Sequence, residues 1–128
     1  EIIYAHIEMC LQKGYFSLAL SSAERLEQKY PQAPEPYFYK GETYRQWQDR
    51  STRVRPKDDD FQKAIMAYKQ AIDADKNYAP AYKGLGRIYQ KQKKHDQAVE
   101  MYKAYLTFDS ESSDAAYIKN YIKTQDVL

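Results

Sequence analysis

The sequence predicts an all-α fold made of antiparallel helix pairs stacked on one another. Three observations carry that reading. The segment AIMAYKQAIDAD at residues 64–75 recurs as AVEMYKAYLTFD at 98–109, 34 positions later and without a gap. Small residues stand at matching points, Gly41 with Ala64 and Gly86 with Ala98, as close packing of paired helices requires. Near the C-terminus, Tyr117, Ile118, Tyr121 and Ile122 recur at spacings of three and four, the period of one helix face.

Composition narrows the function classes. A chain of 128 residues that is 43% hydrophobic and 30% charged can build a folded core. Twenty Lys and Arg against 18 Asp and Glu leave a formal charge of +2, which gives no general attraction to nucleic acid or anionic lipid. The longest apolar runs, Ile2 to Ala5 and Leu18 to Leu20, fall far short of the roughly 20 residues a spanning helix needs, so no membrane insertion is expected in this segment. A start at Glu1 and not at methionine is the expectation for a trimmed chain. Compartment therefore stays open between the cytoplasm and a bacterial periplasm or envelope, and the single thiol, Cys10, fits a reducing or an oxidising one. Fourteen tyrosines against four Phe and one Trp suit shallow cores and wet interfaces.

The repeat can be read in detail. Tyr82, Leu85, Gly86 and Tyr89, then Ala98 and Tyr102, give Y-x2-L-G-x2-Y and A-x3-Y. This resembles the tetratricopeptide pattern W-x2-L-G-x2-Y, A-x3-F and P, with Tyr82 for the Trp, Tyr102 for the Phe and Ser110 for the Pro. One step back, Tyr37, Lys40, Gly41 and Tyr44 precede Ala64 and Tyr68, but Tyr44 to Ala64 spans 20 positions where Tyr89 to Ala98 spans nine, so eleven residues are inserted. Ala19, in KGYFSLAL, and Pro31 mark a further pair whose first helix carries Ile3, His6, Ile7 and Cys10 instead of the family's marks. Ser112 and Ser113 offer N-caps before Asp114 for a closing helix.

The resemblance implies one domain over 1–128: repeats at about 1–33, 34–78 with an insertion near 48–58, and 79–112, then a capping helix at about 113–125. The implied architecture is a right-handed superhelical solenoid. Tyr44, Tyr68, Tyr89 and Tyr102 are expected as rings packed between hairpins. The first helices of the family line a concave wall that holds an extended peptide or a partner's helix. Carried over, that wall is Tyr4, Glu8 and Gln12, then Phe38, Glu42 and Arg45, then Lys83, Arg87 and Gln90, extended by Tyr117 and Tyr121. It would run from acidic with aromatics to basic with aromatics, suiting a partner of opposite charges with apolar anchors. A family specialisation that grips a C-terminal carboxylate with Lys and Asn is disfavoured, because Tyr4, Glu8, Phe38 and Glu42 stand where it needs them and only Lys83 and Arg87 are basic. The alternative reading is a spacer or homo-oligomerisation segment of a larger protein, such as those that assemble the bacterial envelope.

No catalytic, metal or cofactor site is expected. His6 and Cys10 are four apart on one helical face, which is packing or two of the ligands a metal site needs. His95 has no evident partner in the sequence, and Gly84-x-Gly86 lies inside a helix pattern, not a phosphate loop. Arg50, Arg53, Arg55 and Lys57 in the insertion are followed by Asp58 to Asp60, acids that suit a helix start. Nucleic-acid binding is not expected from this balanced cluster.

Overall fold

The computed structural model describes residues 2–50 and 58–127, with side chains at 2–50 and 61–125. Among these the backbone forms seven α-helices and no strand: α1 (Ile2–Lys13), α2 (Phe16–Lys29), α3 (Glu35–Arg50), α4 (Asp58–Ala74), α5 (Ala79–Lys91), α6 (His95–Phe108) and α7 (Ala115–Val127). Helix α3 continues through Arg50, into the stretch read as insertion. Residues 51–57, with Arg53, Arg55 and Lys57, lie outside the described residues, as do the Asp58 to Asp60 side chains.

The helices gather into two compact units, Glu1–Lys76 with α1 to α4 and Asn77–Leu128 with α5 to α7. In the first, α1 packs on α2, α2 on α3 and α3 on α4. Ile7, Cys10 and Leu11 of α1 meet Phe16, Ala19, Ala23 and Leu26 of α2 and Tyr39 of α3, with Ile3, Tyr4 and Phe38 at the margin. His6 Nε2 lies 3.7 Å from the buried Cys10 sulfur. In the second unit α6 packs on both α5 and α7; Leu85, Ile88, Ala98, Tyr102, Tyr105 and Ile118 are almost wholly buried.

Each repeated glycine is covered by a tyrosine ring. A Cβ on Gly41 would stand 2.8 Å from the Tyr68 ring, and one on Gly86 would stand 2.5 Å from that of Tyr102. Tyr68 and Tyr102, expected between hairpins, therefore fill a notch within their own pair, because a bare backbone leaves a gap the width of an aromatic ring.

Two hairpin turns share one geometry on different sequences. After α1, Gly14 adopts φ +81°, its N–H donates to Leu11 O (3.2 Å), and the Tyr15 N–H donates to Cys10 O (2.8 Å). After α5, Lys93 adopts φ +62°, with bonds from Lys93 N–H to Gln90 O (3.0 Å) and Lys94 N–H to Tyr89 O (2.8 Å). Both are Schellman endings, which satisfy the last helical carbonyls through one left-handed residue.

The start of α7 differs from expectation. Ser112 spends its hydroxyl on the Tyr105 hydroxyl, and Asp114 is the residue whose carbonyl takes the first helical bond, from the Ile118 N–H at 3.0 Å.

Candidate functional site

Four of the expected wall residues line one recess of the first unit. Glu8 and Gln12 approach it from α1, Phe38 and Glu42 from α3, and Leu11, Tyr39, Gln46 and Arg50 complete a volume of about 500 Å³. Tyr4 sits beside it, its ring 5.5 Å from that of Tyr39. Glu8 is exposed and its Oε2 accepts from the Tyr39 hydroxyl at 3.2 Å. Burial, then the Glu8 carboxylate, pushes that hydroxyl's pKa well above the ordinary tyrosine value.

Arg45, read as presented to a partner, is instead buried beneath the recess, 9% exposed. Its Nη2 donates to Glu42 Oε1 (3.0 Å) and Oε2 (3.2 Å), its Nε donates to the Tyr68 hydroxyl (3.1 Å), and Asp49 lies 3.6 Å from Nη1. Burial opposes the guanidinium's charge, but Glu42 and Tyr68 more than offset it, so the group is held charged. Glu42 also accepts from Gln46 Nε2 (3.3 Å) and from Tyr68. Burial, with Glu42 adding to it, raises the Tyr68 hydroxyl well above its usual value, against the opposing pull of Arg45. Glu42 is thus neutralised from below, and Glu8 supplies the recess with its exposed negative charge.

Arg50 is one of the basic residues of the insertion. Its Nη1 donates to Leu11 O (2.8 Å) and Gln12 O (3.2 Å), closing the C-terminus of α1, where a cation also meets the negative end of the helix dipole. The guanidinium lies over Phe16, which stacks on Trp47 at 5.6 Å.

In the second unit, Lys83 and Arg87 converge on one carboxylate oxygen: Asp114 Oδ2 lies 2.8 Å from Lys83 Nζ and 3.5 Å from Arg87 Nη2. The Lys83 hydrogen bond, helped by both charges and opposed by burial, lowers the Asp114 pKa. Gln90 accepts from the Tyr102 hydroxyl (2.7 Å) and donates to that of Tyr117 (3.0 Å). Tyr117 is 59% exposed, whereas Tyr121 is buried at 9%, edge-on to Tyr102. The Tyr121 hydroxyl and His95 Nδ1 share a 2.6 Å hydrogen bond, so His95 has a partner after all.

Tyr39, Gln46, Arg50 and Asp114 were absent from the expected wall. Asp114 carried one readable signal, its place among three consecutive cap-forming residues; Tyr39 and Arg50 face partners far away in sequence, and Gln46 bonds Glu42 one turn back.

Compared by sequence with curated proteins, the chain matches none. In structure it is similar to the TPR2B domain of yeast Sti1 in its complex with pHsp70, with a TM-score of 0.75 at 20% identity, over 98% of this chain and 96% of that one. That likeness establishes the fold. The tetratricopeptide repeat model matches residues 57–120, half of the sequence, and the chain belongs to the tetratricopeptide repeat family.

Proposed function

We propose that this chain is a non-enzymatic protein-interaction module that holds a peptide or partner helix against its first helices: α1 with α3 in the first unit, and α5 extended by α7 in the second. The observation that carries the reading is the meeting of Glu8, Gln12, Phe38 and Glu42 around one recess, since a few polar groups beside an aromatic ring fix a ligand's orientation and supply contact area together. The similarity to the Sti1 domain, seen in complex with pHsp70, supports a protein partner. It does not transfer that partner, because Tyr4, Glu8, Phe38 and Glu42 depart from the carboxylate-gripping set.

The test is affinity capture with the wild type, with Glu8→Arg/Gln12→Ala in the recess, and with Lys69→Glu at an exposed position of α4. Proteins lost by the recess variant and kept by the α4 variant support the reading; identical captured sets for all three remove it. Self-association is the second reading, favoured by exposed Ile2 (89%), Leu18 (48%) and Met9 (40%) on the first hairpin. A solution mass of two chains that drops to one on Ile2→Glu/Met9→Glu substitution would select it.

A further inference from the structure

We propose that Asp114 is an internal occupant of the Lys83 and Arg87 cation pair and sets the selectivity of the α5 and α7 face, rejecting acidic peptide segments there. This rests on the interaction reading above and goes past it, because it states which ligands the second unit refuses and which residue refuses them.

The argument starts from geometry. One oxygen, Asp114 Oδ2, is 2.8 Å from Lys83 Nζ and 3.5 Å from Arg87 Nη2. Lys83 is further fixed over the Tyr105 ring, 5.4 Å from its centroid. Asp114 stands immediately before the first residue of α7, where the helix dipole favours an anion. Two cations and a helix terminus thus hold a carboxylate that cannot diffuse away. A tethered group competes as though present at about millimolar concentration or more, so a partner's carboxylate has to displace it or meet its repulsion. What stays open to a partner is the exposed Tyr117 ring, with its hydroxyl held by Gln90, a surface for aromatic or uncharged side chains.

The experiment uses the full chain and two fluorescein-labelled probes, hexaglutamate and an uncharged Gly-Ser hexamer, read by anisotropy at about 0.15 M salt. Asp114→Asn removes the charge and keeps a residue that caps as well as Asp; Asp114→Ser does the same with a shorter arm. Hexaglutamate should bind both variants about tenfold or more tighter than the wild type, the worth of one charge-assisted hydrogen bond. The Gly-Ser probe should not change, and adding Arg87→Ala should abolish the gain. Hexaglutamate affinity equal to wild type in both variants overturns the proposal. If the recess variants lose no partner while Asp114→Asn gains hexaglutamate, the interaction reading falls and the role of Asp114 stands; the opposite pair of results retires Asp114 alone.

Discussion

Gly86 lies so close beneath Tyr102 that a Cβ on it would stand 2.5 Å from the ring's Cε1. The ring cannot move aside easily, being buried with its hydroxyl tied to Gln90. Helix propensity alone would make Gly86→Ala stabilising by about 1 kcal/mol. Overpacking costs about 1–3 kcal/mol and should win, so the urea midpoint of Gly86→Ala is expected to fall. A raised midpoint would show that the notch is looser than these distances require.

Glu42 and Arg45 form a pair in which removing one partner weakens the hold on the other. Glu42→Ala takes both Glu42 oxygens from Arg45 Nη2 and leaves the buried guanidinium Asp49 at 3.6 Å and the Tyr68 hydroxyl, an expected loss of about 1–3 kcal/mol. Replacing both by Leu together with Tyr68→Phe, whose hydroxyl would otherwise lose both partners, should recover most of it, since buried ion pairs often exchange for apolar residues without net cost. A double-mutant cycle read by denaturant unfolding measures the coupling; near-additive losses would contradict it.

Lys93 and Gly14 predict changes of opposite sign. Lys93→Gly removes the strain of a side chain at φ +62° and should stabilise by about 1 kcal/mol. Gly14→Ala, at φ +81°, should destabilise by a similar amount. Thermal melts of the two variants beside the wild type decide this.

Tyr39, Tyr68 and Tyr121 have raised pKa values in the fold, burial leading in each case. The folded state therefore keeps protons that the unfolded chain releases above its tyrosine pKa of about 10. Their contribution is intact below that value and declines as the pH rises past it. Urea midpoints should hold from neutral pH to about 10 and then drop, with tyrosinate absorbance appearing alongside unfolding. A flat alkaline profile would contradict these environments.

The helical pairs were legible because an alanine recurs 34 positions apart in segments of matching text, each with a glycine in the helix ahead of it. What covers the glycines was less so: small residues signal close approach without saying whether backbone or ring fills the gap. Arg45 was misplaced for a related reason. On α3 it follows Glu42 and precedes Asp49, which reads as a solvated face, and only the arrival of Tyr68 from the next helix turns it inward. Asp114 could be seen as a cap, but its hold on Lys83 and Arg87 depends on where the turn before α7 sits beside α5. Arg50 reaches a helix end nearly forty positions back, beyond the range of any local pattern.

The hydroxyls of Tyr68 and Tyr102 stand where the family pattern has a ring without one, and they reach from the interior to Glu42 on α3 and Gln90 on α5. Retargeting either helix to a new ligand thus begins one layer down: a library that varies Glu42 or Gln90 alone samples side chains still tethered to, or abandoned by, a phenol underneath. Pairing each surface position with Tyr68→Phe or Tyr102→Phe would let designers change affinity without mistaking a loosened scaffold for a lost ligand.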